Sequence, residues 1–231
     1  MQRSETKHLS YHALVEALDG DGCPFCALVT AALERYFRTL LYEQVNDIDL
    51  RANLRASQGF CAAHGEMLRQ ARSALGSAIM HRDVLNTLTR ALEGESLPAT
   101  PTHSWLRGLV GADPRPQHQL LGGAEPCPAC VRVHERELNY IDTQLLNWDD
   151  ELLGAKVRDS AGLCLSHLRL TLGRTQDAAQ FDAIKVAHLA IWRDLIAELD
   201  EFIRKQDYRF ADEAIGAVGT SWSRAIDLVS G

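Results

Sequence analysis

The chain contains six cysteines, and their spacing repeats. Cys23-Pro24-Phe25-Cys26 is followed after 34 residues by Gly59-Phe60-Cys61-Ala62-Ala63-His64, and Cys127-Pro128-Ala129-Cys130 is followed after 33 by Gly162-Leu163-Cys164-Leu165-Ser166-His167. No cysteine is left over. Any fold for this chain must therefore satisfy one local constraint twice, the mark of an internal duplication. The likeness continues downstream, where His81, Leu85, Leu88 and Leu92 lie over His188, Trp192, Leu195 and Leu199.

The hydrophobic pattern between these motifs has helical spacing. Phe25, Val29, Leu33, Tyr36 and Leu40 form one stripe, Val131, His134, Leu138, Ile141 and Leu145 form its counterpart, and Phe181, Ile184, His188, Ile191, Leu195, Leu199 and Phe202 mark a long late helix. No segment alternates in the manner of a strand. The expected fold class is all-α, a duplicated helical repeat with a metal site in each half, related by a pseudo-twofold axis. Of seven prolines, two lie in the CPxC motifs and five fall between Pro98 and Pro126, so the linker is set at 94–126. One short helical turn is expected in it, at Trp105, Leu106, Leu109 and Val110. The first repeat then covers 1–93, the second 127–205, and 206–231 is a tail packing on the repeats. The two halves are expected to share one domain.

A CPxC at a helix start has a physical logic, because proline is tolerated at the first helical position and the free amides there favour thiolate charge. Cys61 and His64, three apart behind the helix terminator Gly59, share one face of another first turn. The same argument holds for Cys164 and His167 behind Gly162. Three thiolates and an imidazole suit tetrahedral zinc. The nearest grouping in sequence places Cys23, Cys26, Cys61 and His64 around one ion and Cys127, Cys130, Cys164 and His167 around the other, giving two zinc ions per chain. An iron–sulfur cluster is the alternative cofactor. Disulfides are disfavoured because they leave the histidines unused, and a small secreted framework is not what a chain of 231 residues needs. With four protein ligands, neither site keeps a position for water or substrate, so the expected role is structural.

The remaining features are weighed against simpler readings. His81 and His188 occupy matching positions, where a hydrogen bond supporting a ligand competes with the more ordinary reading, a core histidine satisfied by a carbonyl. His134 is read in that ordinary way too. Asp47, Asp49, Asp149, Asp150 and Glu151 fit charges at helix starts. In the tail, Trp222, Ile226 and Val229 fall on one side of a short helix that either packs on the repeats or offers an anchor. Acidic residues outnumber basic ones 31 to 24, for a net charge of −7, so nucleic acid is not expected as a partner. No apolar run is long enough to span a membrane and the amino terminus is polar, so a cytoplasmic location is expected. No phosphate loop, GxGxxG, HExxH or GxSxG motif occurs, and the chain is read as leaning away from catalysis.

On the twin CPxC and GxCxxH motifs and the closing Asp207-Tyr208-Arg209 and Ser221-Trp222-Ser223-Arg224 segments, the chain resembles an uncharacterised bacterial domain-of-unknown-function family. The likeness spans nearly everything but the linker, and Gly162-Leu163 departs from the family's Gly-Phe while staying apolar. The resemblance implies a bacterial cytosolic origin and supports the ligands, but implies no reaction. Three functions follow as expectations: a zinc-stabilised, non-enzymatic scaffold for a protein partner; a thiol- or metal-based redox sensor; and an enzyme with a pocket between the halves.

Overall fold

The computed structural model describes residues 2–94, 125–210 and 212–230. The chain is all-α, with no strand among the described residues. The helices are α1 (Gln2–Ala17), α2 (Pro24–Glu43), α3 (Ile48–Ala56), α4 (Ala62–Gln70), α5 (Ala74–Gly94), α6 (Pro128–Leu146), α7 (Glu151–Asp159), α8 (Leu165–Arg174), α9 (Ala178–Lys205) and α10 (Ser221–Ser230), with short 3-10 turns at Tyr208–Phe210 and Gly216–Thr220. Thus α2 to α5 answer α6 to α9 in order, as the duplicated sequence requires. No described helix is long and apolar enough to cross a membrane.

Local sequence sets the ends of these helices. Asp47 caps α3 by accepting from the Leu50 amide at 2.7 Å, and Asp150 caps α7 by accepting from the Leu153 amide at 2.9 Å. Gly59 and Gly162 lie two residues before Cys61 and Cys164 with φ of 101° and 79°, backbone that a side chain would strain. At Gly162 space is short as well, since a Cβ would sit 3.1 Å from Ile191. These glycines turn the chain sharply, so that each CxxH opens a new helix.

The chain divides into two compact units, 1–32 with 133–231, and 33–132. They are not the sequence halves. The boundaries fall inside α2 and α6, so each of those helices begins in one unit and ends in the other. The compact units do not coincide with the sequence repeats set at 1–93 and 127–205: each unit is assembled from pieces of both. Helix length contributes to this: α2 advances roughly 30 Å at about 1.5 Å per residue, so the chain that begins it in one unit ends it in the other. Residues 95–124, which hold nearly all of the expected linker and its helical turn at Trp105, lie outside the described residues.

The first unit is built around Leu14, Phe25, Ile141, Leu153 and Ile184, all fully buried. The second has a smaller core of Leu40, Leu54, Met80 and Val84, flanked by Phe60. The tail packs on α8 and α9 of the first unit. The stripe expected to do so, however, is not the face that is buried. Trp222, Ile226 and Val229 are each more than half exposed, and the apolar groove against α9 is lined by Ala225 and Leu228 with Val229 at its edge.

Candidate metal centres

All eight sequence-derived ligands gather into two clusters, but with partners exchanged between the repeats. One cluster joins Cys23 and Cys26 to Cys164 and His167; the other joins Cys127 and Cys130 to Cys61 and His64. In each, the four donor atoms lie within 4.8 Å of one another. The grouping of Cys23 and Cys26 with Cys61 and His64, and of Cys127 and Cys130 with Cys164 and His167, is therefore corrected. Each CPxC meets the CxxH of the other repeat, because α2 and α6 carry the chain away from their own amino-terminal cysteines before the CxxH is reached. The exchange places the first cluster wholly in one compact unit and the second wholly in the other.

The separations fit one small cation in each cluster. A tetrahedron with metal–sulfur bonds of about 2.3 Å and a metal–nitrogen bond of about 2.0 Å has sulfur–sulfur edges of roughly 3.8 Å and sulfur–nitrogen edges of roughly 3.5 Å. In the first cluster Cys26 Sγ is 3.7 Å from Cys164 Sγ, while His167 Nδ1 is 3.5, 3.4 and 3.1 Å from the sulfurs of Cys23, Cys26 and Cys164. In the second, Cys61 Sγ is 3.7 Å from Cys130 Sγ, and His64 Nδ1 is 3.2, 3.4 and 3.7 Å from the sulfurs of Cys61, Cys130 and Cys127. Both histidines thus offer Nδ1. All six cysteines are free of disulfides.

Three thiols this close cannot all ionise unaided. Bonds from Cys23 and Cys26 hold the Cys164 thiol far below its ordinary value, and the same contacts with Cys164 and Cys23, together with burial, push Cys26 far above it. Burial opposes a charge on His167, but the thiol groups of Cys164 and Cys23 outweigh it and carry the ring up to about 10. A negative pocket that draws a proton onto a buried imidazole would be satisfied equally by a metal cation, which releases that proton. In the second cluster burial lowers His64, which favours the neutral ligand form. The His64 backbone amide holds the Cys61 thiol down, and burial raises Cys130 to about 12.

The surroundings of the two clusters differ. Cys164 and His167 are 1% and 5% exposed, the Phe25 ring meets His167 edge-on at 5.5 Å, and Glu137 Oε1 lies 3.3 Å from His167 Nε2. The pair is not aligned as a hydrogen bond, since Nε2 is buried without a hydrogen-bond partner; a modest turn of the carboxylate would let it accept from that nitrogen and strengthen the ring as a donor. By contrast Cys61 and Cys130 are exposed, and only Cys127 is buried. Glu137 was not singled out from the sequence. A signal was present, since seven residues after the second CPxC cysteine the first repeat has Leu33 and the second has Glu137, so the duplication breaks there from apolar to acidic.

Of the matching histidines, His188 does both jobs weighed for the pair and His81 shows only the ordinary one. His188 is buried, with Nδ1 2.8 Å from the Ile184 carbonyl, and its Nε2 accepts from the Leu163 amide at 3.1 Å. Leu163 immediately precedes Cys164, so this core histidine also holds the ligand loop. His81 repeats the first contact, 2.8 Å from the Ser77 carbonyl. His134, expected on a core stripe, is exposed instead and lies 3.8 Å from Glu137. The sulfur-bearing residues Cys23 and Cys164 also border a cavity of about 220 Å³, lined further by Asp159, Asp194 and Glu198.

A family model described as a family of unknown function (DUF6062) matches residues 12–231. An uncharacterized 23.9 kDa protein in the xynA 3′ region of Caldicellulosiruptor sp. (strain Rt8B.4) is 24% identical over 228 residues, covering 94% of this chain and 99% of that protein. No solved structure matches.

Proposed function

The chain belongs to the family of unknown function DUF6062, and from its two donor clusters we propose that it is a zinc protein with two structural Cys3His sites and no catalytic metal. The observation that carries this reading is the convergence, twice, of four donor atoms within 4.8 Å of one another from segments far apart in the sequence. Three thiolates and one imidazole at tetrahedral spacing match the ligand preference of zinc, and they leave no coordination position for a substrate. Each ion ties the start of a CPxC helix to a CxxH helix within one unit, and the apparent energy of such a site, on the order of 10 kcal/mol, is folding energy.

With the metals structural, the work of the protein falls to its surface. The reading is a non-enzymatic scaffold that engages a protein partner through the α9–α10 face, where Ile196, Trp222 and Val229 are each more than half exposed. Exposed aromatic and aliphatic groups of this kind anchor protein interfaces.

Elemental analysis of protein purified without added metal tests the first part. Two zinc ions per chain with a featureless visible spectrum is the expected result. Iron with a broad band near roughly 400 nm would replace the zinc reading with an iron–sulfur one. For the second part, wild type should capture a partner from the source cell that Trp222→Ala captures poorly. Equal capture by both would remove α10 from the interface.

A further inference from the structure

The two clusters share a donor set but differ in how exposed the cysteines that carry it are. In the second, Cys61 and Cys130 are both exposed and their sulfurs are 3.7 Å apart; in the first, the geometrically equivalent pair is Cys26 and Cys164, also 3.7 Å apart, with Cys164 only 1% exposed. Solvent reaches Cys23 and Cys164 by way of a cavity of about 220 Å³, whereas Cys61 and Cys130 stand at the surface. Thiolate oxidation follows access, and a sulfenic acid needs a second thiol beside it to become a disulfide. Only the Cys61–Cys130 pair combines both conditions at an exposed position.

We propose that Cys61 and Cys130 form an oxidation site for a small hydroperoxide, at which disulfide formation expels one metal ion from the protein and leaves the other in place. The inference rests on the metal reading above. In the first step the Cys61 thiolate attacks a peroxide oxygen, the O–O bond breaks, and Cys61 becomes a sulfenic acid as hydroxide departs. In the second the Cys130 thiolate attacks that sulfur, the S–S bond forms, the S–O bond breaks, and a second hydroxide leaves. Two thiolates lose two electrons in all, and hydrogen peroxide takes them up. The sulfurs close from 3.7 Å to a bond of about 2.0 Å. The ion keeps only Cys127 and His64 and dissociates. The new bond joins the start of α4 to the start of α6, the same two segments the ion held, so the second unit stays stapled and a reductant with zinc restores the original state.

The test uses the full-length protein as purified, treated with hydrogen peroxide in the presence of a chromogenic zinc chelator, with disulfides mapped by mass spectrometry at each stage. One of the two zinc ions is expected to leave in a resolved early phase, accompanied by a Cys61–Cys130 disulfide, and dithiothreitol with zinc should reverse it. Release of both ions in one phase would overturn the proposal. So would a first disulfide among Cys23, Cys26 and Cys164. A protein that carries no zinc would count against the metal reading instead. The same peroxide-treated sample would then still decide the oxidation site, by whether Cys61 and Cys130 pair before the other thiols.

Discussion

The two clusters present the same ligands in different settings, and the setting separates them. Around Cys23, Cys26, Cys164 and His167, Phe25 covers the imidazole, Glu137 lies against its far nitrogen and His188 holds the loop before Cys164. Around Cys61, His64, Cys127 and Cys130 the CPxC has Ala129 where the other has Phe25, and the position of Glu137 is taken by Leu33. Two of its cysteines are exposed. Ligand chemistry decides which ion fits, whereas the residues beside the ligands decide how firmly it is kept and what can reach it. On the zinc reading proposed above, the duplication provides two sites with different prospects: one suited to permanence and one to exchange.

The comparison is tested most severely by removing one ligand at a time. Cys164→Ser should take zinc content from two to one and cost on the order of 10 kcal/mol of apparent binding energy in the first unit. Hydrogen exchange should then show lost protection in 1–32 and 133–231. Cys61→Ser should do the same to 33–132 and spare the rest. If either substitution releases both ions, the clusters are coupled and the contrast between independent sites collapses.

A smaller effect is expected at Glu137. Glu137→Ala should weaken zinc at the first cluster by about 10- to 100-fold, measured by chelator competition, and leave the second cluster unchanged. Glu137→Gln, which keeps an acceptor but not the charge, should recover part of the loss. Equal affinities in wild type and both variants would mean that the carboxylate does not orient the ring.

Smaller still is the histidine pair. His188→Ala leaves the buried Leu163 amide without its partner and should cost about 1 to 3 kcal/mol in denaturant unfolding of the first unit. The same change at the less buried His81 should cost less in the second. At the small end, Arg55 and then Arg51 hold Asp83 below the usual carboxylate range. A carboxyl lowered in the folded state stabilises fully above its ordinary value and loses that contribution as pH falls through the lowered one. Asp83→Asn should remove this part of the acid sensitivity of the second unit, read from unfolding midpoints against pH.

Much of this was legible in the sequence, and the missing part has a physical origin. Cysteine spacing picks out the eight residues that gather into the two clusters because each motif is local: proline and glycine set a helix start, and three-residue spacing puts both donors on one face. Pairing between motifs is not local. Two CPxC and two CxxH segments are chemically interchangeable, so nothing in Cys23 or Cys26 distinguishes His64 from His167. Helix length is what distinguishes them, since α2 spans 20 residues and crosses from one compact unit into the other before Cys61 and His64 are reached. The same limit hid Glu137, whose contact with His167 crosses between helices, and hid the exposed side of α10, where a stripe alone does not tell which face finds a neighbour.

The exchanged pairing also sets an order on synthesis. The ribosome delivers Cys23 and Cys26 first, yet His167, their ligand, emerges 144 residues after Cys23, roughly 7 to 30 s later at ordinary elongation rates. Cys61 waits only 69 residues for Cys130. The second cluster is therefore complete while the first still lacks half its donors, and the first CxxH that the nascent Cys23–Cys26 pair meets is the wrong one. On the zinc reading, early growth of α2, which crosses from one compact unit into the other, would keep that pair from Cys61 and His64, so a helix with no candidate ligand in its latter half would guard the metal pairing of a growing chain.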